Sequence, residues 1–141
     1  MADKKARDIM SSGCECVGEN DSVLDAAKRL AELDVGAMPI CGQDERLKGM
    51  LSDRDIVVKV LAQGKDPSST KVSELAEGKP VTIGADDPIE EALRTMADHK
   101  VRRLPVIDER KLVGIISQAD IATHLDEEKV GDLVEAISAA P

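Results

Sequence analysis

The sequence contains no phenylalanine, tyrosine or tryptophan among its 141 residues. Proteins that bind single-stranded RNA or DNA use aromatic side chains as platforms for base stacking, so this class of partner is disfavoured. An adenine ring would have to lie against aliphatic side chains, peptide planes or arginine guanidinium groups. The formal net charge of −9 also argues against nucleic-acid polymers, because their phosphates require a basic surface.

Long apolar runs are missing as well. No uninterrupted apolar stretch approaches the length that spans a bilayer, and the N-terminal run Met1–Lys5 lacks the apolar core of a signal peptide. We therefore expect a cytoplasmic protein without membrane contact. Apolar residues make up 42% and charged residues 33% of the chain, which is ordinary for a globular domain.

What the sequence does contain is an internal repeat that covers most of its length. The run Val35–Ile40 followed by Leu47–Ile56 returns as Val101–Val106 followed by Leu112–Ile121. The offset is 66 residues at the prolines and 65 from the leucines onward, so the second copy is one residue shorter there. Two copies with little chain outside them predict a closed pseudo-symmetric pair rather than part of a longer array.

Each copy shows the same predicted order of elements, β-α-β-β-α, after a short helical lead. We predict a first domain over residues 6–63, a linker over 64–71, a second domain over 72–126 and a helical tail over 127–141.

Helix ends and helix faces follow from the same pattern. Ser22 is expected to cap the first long helix and Gly36 to end it. In the second copy, Asp87 is expected to cap the helix and Pro88 to take its first position. The residues expected to face the core from a helix over 53–62 are Ile56, Val57, Val60 and Leu61. A tail helix over 128–139 is expected to fold back on the domain through Val130, Leu133, Val134 and Ile137.

All three cysteines, Cys14, Cys16 and Cys41, lie in the first copy. We interpret them first as small apolar packing residues. The sharper alternative is a Cys16–Cys41 disulfide, because Cys16 would open the first strand and Cys41 would close the next. A metal site is the weakest interpretation, since the cysteine spacing does not fit a zinc ribbon and neither His99 nor His124 has an acidic or thiol companion at a familiar spacing.

Both copies place a serine at a predicted strand-to-helix junction and an aspartate three residues later; these residues are Ser52, Asp55, Ser117 and Asp120. Backbone N–H groups at a helix start, together with the serine hydroxyl, favour a phosphate, and the aspartate can accept the hydroxyls of a ribose. The same spacing is also a plain helix cap, which by spacing alone is the simpler explanation. Recurrence at equivalent places, each time after glycine and two apolar residues, favours nucleotide binding.

These runs, with the Ala-Arg-Asp-Ile-Met lead at 6–10 and the steps Met38-Pro39-Ile40 and Leu104-Pro105-Val106, resemble a tandem CBS-domain pair, or Bateman module. The resemblance implies an α/β (α+β) fold of two β-α-β-β-α units packed through their sheets with pseudo-two-fold symmetry, often as a homodimer. It implies an adenosine-containing ligand, such as AMP, ADP, ATP or S-adenosylmethionine, and no required cofactor.

The resemblance also implies roles for single residues. Ser52 and Ser117 would lie on the phosphate side, and Asp55 and Asp120 would hold the ribose. Adenine would lie near Val17, Met38 and Ile40 in one site and near Ile83, Leu104 and Val106 in the other. Arg102 and Arg103 occupy the basic positions that phosphate-binding members place before the Leu-Pro step. The first copy has Gly36-Ala37 there, so we expect unequal sites.

The leading hypothesis is a non-catalytic sensor that binds an adenosine-containing ligand in the cleft expected between the two CBS units and signals to a separate, unidentified effector. The alternative is a ligand-free structural, redox-responsive or stress-responsive dimer stabilised by a Cys16–Cys41 disulfide. An enzyme acting on a small metabolite is the third hypothesis, and the sequence lacks the Gly-x-Ser-x-Gly and His-Glu-x-x-His motifs that would support it.

Overall fold

The structure, a computed structural model, describes residues 4–13, 15–76 and 79–138. These residues divide into two compact units. The first unit comprises the described residues within 15–80, and the second comprises those within 1–14 and 81–141.

In the described ranges, no helix has both the length and the apolar character needed to cross a membrane.

The first unit is built on a three-stranded sheet. Its elements are β2 Val17–Gly18, α2 Val23–Leu33, β3 Ala37–Cys41, β4 Leu47–Ser52, α3 Asp53–Ile56, a π-helix Val57–Leu61 and a 3-10 helix Val72–Leu75. Strand β3 lies at the centre, parallel to β2 and antiparallel to β4. The buried side chains of this sheet and of the helices around it form one core.

The second unit is built on a four-stranded sheet. Its elements are α1 Ala6–Ile9, β1 Ser11–Ser12, β5 Ile83–Gly84, α4 Ile89–His99, β6 Arg103–Asp108, β7 Lys111–Ser117, α5 Gln118–His124 and α6 Glu127–Ser138. The strands lie in the order β1-β7-β6-β5. Strand β6 pairs with β5 in parallel and with β7 antiparallel, which repeats the arrangement of the first unit. The added strand β1 runs antiparallel to β7.

Each lead segment, residues 6–10 in the first copy and the 3-10 helix Val72–Leu75 in the second, packs in the unit formed mainly by the opposite copy of the repeat. The Ala6 N–H donates to the Asp87 carbonyl at 2.9 Å, and the Val72 N–H donates to the Asp21 carbonyl at 2.9 Å. Ala6 and Val72 are both fully buried, so each lead contributes to a hydrophobic core as well as to the backbone hydrogen bonds. This exchange brings residues 10–12 alongside strand β7.

The predicted β-α-β-β-α order of elements in each copy and the Ser22 cap are confirmed, whereas two other helix boundaries are not. The Ser22 hydroxyl accepts from the Asp25 N–H at 3.1 Å. Helix α2 ends before Gly36, because Asp34 takes the left-handed conformation (φ 54°), which aspartate tolerates better than most residues. The expectation that Asp87 caps α4 is wrong: its carboxylate accepts from the Gly84 N–H at 2.8 Å, and Pro88 is the cap residue.

Two residues predicted to face the first core are instead exposed. Ile56 and Val60 are buried as expected, but Val57 and Leu61 are each 55% exposed. The chain is a π-helix from Val57 to Leu61, and its wider turns change which positions face inward. The assumed α-helical period of 3.6 residues therefore fails in this segment.

The C-terminal helix α6 folds back on α4 and α5, as the sequence predicts. Leu133 and Ile137 are buried in the second core, and Val130 packs at its edge. The expectation for Val134 is wrong, since it is 44% exposed on the outer side of the helix. Ala139, the last residue of the predicted helix, lies outside the described residues.

Candidate functional site

The predicted serine–aspartate pair of the first unit lies at the end of β4. The Asp55 N–H donates to the Ser52 hydroxyl at 3.1 Å, and the Ser52 N–H donates to Asp55 Oδ2 at 2.9 Å. This reciprocal pair is a capping box. The two intervening N–H groups are also satisfied, with Asp53 donating to the Gly36 carbonyl and Arg54 to Asp53 Oδ1. The expectation that backbone N–H groups at this helix start are free to bind a phosphate is therefore wrong, because those of residues 53–55 already donate within the protein.

The second unit has the same capping box at the end of β7. The Asp120 N–H donates to the Ser117 hydroxyl at 3.2 Å, and the Ser117 N–H donates to Asp120 Oδ2 at 2.8 Å. The Gln118 N–H donates to the Arg102 carbonyl at 3.2 Å, which matches the Asp53–Gly36 bond of the first unit. Equivalent residues are thus held in equivalent positions.

Capping does not use the full hydrogen-bonding capacity of either aspartate. An ionised carboxylate offers about four acceptor positions on its two oxygens. In both aspartates the cap occupies Oδ2, while Oδ1 is directed elsewhere: Asp55 Oδ1 lies 3.4 Å from Lys59 Nζ, and Asp120 Oδ1 accepts from the Ser11 hydroxyl at 3.2 Å. Both aspartates are partly buried. A cap and a ribose contact are therefore chemically compatible on one side chain.

Ser11 and Lys59 are the neighbours that sequence reasoning missed. Lys59 lies four residues after Asp55, a helical spacing that could have indicated the ion pair. Ser11 is separated from Asp120 by 109 residues and meets it only because the first lead packs in the second unit. No local pattern in the sequence encodes that contact.

The six apolar residues predicted near adenine all lie within the two hydrophobic cores. Their exposed fractions range from 0% to 5%, and they are Val17, Met38, Ile40, Ile83, Leu104 and Val106. They lie on β2 and β3 in the first unit and on β5 and β6 in the second. Three cavities of about 240–320 Å³ are lined by other residues.

Charge at the strand-to-helix junction differs between the units. Arg102 and Arg103 are exposed beside the start of β6, whereas Gly36 and Ala37 hold those places in the first unit. A side chain added at Gly36 would begin 3.5 Å from the Asp53 carboxylate. The first junction is therefore acidic where the second is basic.

Cys16 and Cys41 form a disulfide, so the Cys16–Cys41 pairing predicted as the alternative to apolar packing is confirmed. Cys41 is 8% exposed at the end of β3, and Cys16 directly precedes β2. The positions that match them in the second copy are Thr82 and Ile107. Cys14 lies outside the described residues.

A separate cluster of charged side chains lies elsewhere in the second unit. Arg7 of α1 donates to Asp86 Oδ1 at 2.8 Å and to Asp108 Oδ2 at 3.2 Å. The hydrogen bond from Arg7 lowers the pKa of Asp86 below its ordinary value, and these bonds raise the pKa of Arg7. All three side chains are exposed, so the cluster mainly orients the lead rather than stabilising the unit.

Comparison with known proteins finds the CBS domain twice in this chain, over residues 6–62 and 72–127. Hypoxic response protein 1 of Mycobacterium tuberculosis is 51% identical over 132 residues, covering 94% of this chain and 92% of that protein. The CBS domain-containing protein YhcV of Bacillus subtilis is 37% identical over 133 residues, covering 94% of each.

Two solved structures share this fold. A crystal structure of hypoxic response protein I with two coordinated zinc ions superposes with a TM-score of 0.81 at 51% identity, covering 87% of this chain and 100% of that chain. A crystal structure of CBSX2 in complex with AMP gives a TM-score of 0.73 at 26% identity, covering 84% and 93%.

The structure of hypoxic response protein I contains zinc ions, but the described residues of this chain do not form a zinc site. Among residues 4–13, 15–76 and 79–138, no group of three or more histidine, cysteine, aspartate or glutamate side chains could hold a metal ion. Cys16 and Cys41 are joined to each other, and His99 and His124 are exposed.

Proposed function

Because the chain belongs to the CBS-domain family, we propose that it is a non-catalytic regulatory module that binds an adenosine-containing ligand and signals to a separate effector protein. Proteins of this family are typically regulatory modules without catalytic activity of their own. CBSX2 has been crystallised with AMP, and this supports an adenine nucleotide as the ligand class.

The observation that carries the proposal is the pair of partly buried aspartates with one carboxylate oxygen fixed by a cap. The cap orients each side chain, and the second oxygen of Asp55 or Asp120 is the one that would accept the ribose hydroxyls. A pre-oriented acceptor loses little side-chain entropy when the ligand binds. The Ser52 hydroxyl accepts in its cap and could donate its proton to a phosphate, whereas the Ser117 hydroxyl donates to Asp120 Oδ2 at 3.1 Å and would have to rotate to do so.

Adenine recognition in this proposal relies on aliphatic strands, because the chain has no aromatic ring. Val17, Met38 and Ile40 would form the apolar floor in the first unit. The corresponding floor in the second unit would be Ile83, Leu104 and Val106. All six side chains are buried, so binding would require the groups that cover them to move aside.

Arg102 and Arg103 would give the second-unit site its preference for phosphorylated ligands. Their guanidinium groups form charge-assisted hydrogen bonds with phosphate oxygens. The first-unit site has Gly36 and Asp53 at that junction, and a carboxylate there would oppose a phosphate. We expect AMP to be preferred over adenosine in the second unit only.

The regulatory action would pass through a homodimer and an effector chain. A ligand can change a partner only if it binds two arrangements of the protein with different affinity. The apolar residues Val57, Val58 and Leu61 are between 42% and 55% exposed on the first unit and would form part of the contact between two copies.

Calorimetric titration with AMP and adenosine tests the binding proposal. Replacing Asp55 or Asp120 by asparagine keeps an oxygen for the cap but removes the charge that would hold the ribose. Loss of one charged hydrogen bond costs about 1.5–3 kcal/mol, or roughly 10- to 150-fold in affinity. We expect Asp55→Asn and Asp120→Asn each to weaken one site and the double variant to weaken both.

Glu74→Gln is the matched control. Glu74 accepts from the Lys71 N–H at 2.7 Å, as Asp55 accepts from the Ser52 N–H, but it has no assigned ligand role. It should bind both ligands as the unaltered chain does. Unchanged affinity in both aspartate variants and their double would contradict the site assignment, and no heat of binding for either ligand would contradict the function.

A further inference from the structure

A single covalent bond joins the two strands that carry the proposed adenine floor of the first unit. Cys16 directly precedes β2 and Cys41 is the last residue of β3. The bond is therefore one residue along the chain from both Val17 and Ile40. Those two residues are register partners in the parallel pairing of β2 with β3.

The second unit shows that this strand pairing does not need the bond. Strands β5 and β6 pair in the same register, with Ile83 opposite Val106 and Gly84 opposite Ile107. Thr82 and Ile107 occupy the places of the two cysteines. A two-residue parallel strand thus forms at this position without a covalent link, so cleavage of the first-unit disulfide should leave its fold intact.

Cleavage should nevertheless loosen the strand that lies at the site. Strand β2 is only two residues long, and the segment that follows it is held by backbone bonds such as those from the Glu19 N–H to the Cys41 carbonyl at 3.0 Å and from the Ser73 N–H to the Glu19 carbonyl at 2.9 Å. On its other side, Glu15 and Cys16 belong to no helix or strand. Segments with few backbone hydrogen bonds open at low free-energy cost. Cys16 is the more exposed of the two sulfur-bearing residues, which gives a reductant access from that side.

We propose that the Cys16–Cys41 disulfide is a redox switch for the first-unit site, and that the oxidised chain binds its adenosine-type ligand more tightly than the reduced chain. The inference rests on the proposed function and names a form of regulation for that site. The second-unit site, which has no disulfide, would be insensitive to the same change.

The switching step requires a dithiol as the electron donor. One thiolate of the dithiol attacks Cys16 Sγ, the Cys16–Cys41 bond breaks, and Cys41 leaves as a thiolate that takes up a proton. The second thiol of the dithiol, as a thiolate, then attacks the reagent sulfur that is bonded to Cys16 Sγ. The reagent closes into a cyclic disulfide, and Cys16 is released as a thiolate that is protonated. The dithiol loses two electrons in this exchange, and the protein disulfide gains them.

Ligand and redox state must influence each other by the same factor. If oxidation tightens binding n-fold, saturating ligand must make the disulfide n-fold harder to reduce. Each tenfold effect corresponds to ~30 mV in the two-electron reduction potential. This reciprocity gives a second, independent measurement of one coupling.

The test uses full-length protein carrying Cys14→Ser, so that the only thiols are those of the switch, and adenosine as the probe. Asp120→Asn in this background leaves the first-unit site as the principal site, and Asp55→Asn leaves the second. Each protein is titrated by calorimetry before and after dithiothreitol treatment, with thiols counted by alkylation and mass spectrometry. We expect reduction to weaken adenosine binding at least fivefold in the Asp120→Asn protein and to leave the Asp55→Asn protein unchanged.

A Cys16→Ser/Cys41→Ser variant is the matched control, and it should show the weaker first-unit affinity with or without dithiol. Equal affinity of the oxidised and reduced Asp120→Asn protein would overturn the inference while leaving the proposed function in place. Loss of the circular dichroism signal on reduction would also overturn it, because the bond would then be required for folding. Absence of adenosine binding to every protein, including the unaltered chain, would overturn the proposed function itself.

Discussion

At the scale of single residues, the glycine that opens each Gly-x-x-Ser run is required by close packing against the lead. A Cβ atom on Gly114 would lie 2.5 Å from Met10 Sδ and 2.8 Å from the Ser11 carbonyl oxygen. A Cβ atom on Gly49 would lie 3.0 Å from the Cβ of Ala76, which follows the second lead. The glycines therefore permit the leads to pack, and this explains why they recur in both copies without assigning them to a ligand.

Replacement of Gly114 by alanine should destabilise the chain by about 1–3 kcal/mol, because backbone and side-chain atoms of residues 10 and 11 must move. Gly131→Ala is the control, since a Cβ there meets nothing within 4 Å and Gly131 lies inside α6. That change should stabilise the chain by about 0.5–1 kcal/mol. Urea unfolding followed by circular dichroism measures both; a Gly114→Ala midpoint equal to that of the unaltered chain would refute the packing argument.

The capping residues show what a sequence can and cannot reveal at this scale. The Ser22–Asp25 and Ser52–Asp55 spacings indicate caps because the bonds are local, and both caps are present. Asp87 is a residue type that commonly caps helices, but its carboxylate accepts a hydrogen bond from the Gly84 N–H instead, and Pro88 is the cap residue of α4. A local pattern thus predicts that an acid closes a turn more reliably than it predicts which turn.

At the scale of elements, hydrophobic periodicity predicts α6 and the face by which it packs. Leu133 and Ile137 are four residues apart and both are buried against α4 and α5. Periodicity fails in the π-helix Val57–Leu61, because the assumed period of 3.6 residues does not apply there. The three strands of each repeat copy are predicted, because their short apolar runs end at glycine-rich or charged turns. Strand β1 is not predicted, since Ser11 and Ser12 form no apolar run and pair with the distant strand β7.

Truncation of Leu133 tests the contribution of α6 to the second unit. Leu133→Ala should lower the free energy of unfolding by about 2–5 kcal/mol, since the side chain is 4% exposed within the core. Val134→Ala, one residue on but 44% exposed, should change it by no more than about 0.5 kcal/mol. Denaturant unfolding of both variants gives the comparison, and equal effects would show that α6 does not pack as described.

At the scale of the whole molecule, the repeat predicts two units of one design but not the exchange of leads between them. The 66-residue offset that relates the two copies also relates the Ala6–Asp87 and Val72–Asp21 hydrogen bonds. A lead at residues 6–10 has the same local sequence whether it packs with its own copy or with the other. Only the long-range contacts of the folded chain distinguish the two, so the Ser11–Asp120 contact was beyond sequence reasoning.

The two units also differ in how their outer helices are covered, which leads to a prediction about assembly. Helix α6 packs on α4 and α5 of the second unit. The first unit exposes Val57, Val58 and Leu61, whereas the matching second-copy positions are the smaller or polar residues Ala122, Thr123 and Asp126. Of the seven exposed large apolar side chains among the described residues, six lie in the first unit. Val57, Val58 and Leu61 lie together on one π-helix, and contiguous exposed apolar patches typically mark contact surfaces.

We therefore expect the chain, of 15.1 kDa, to be a homodimer that is held together through the first unit. Val57→Lys combined with Leu61→Lys should convert it to a monomer without unfolding it, because both side chains are already 55% exposed. Burying two lysines at an apolar contact leaves their charges without partners. Light scattering coupled to size exclusion measures the mass, with Val134→Lys on the second unit as the control. A monomeric unaltered chain, or a double variant that remains a dimer, would place assembly elsewhere on the surface.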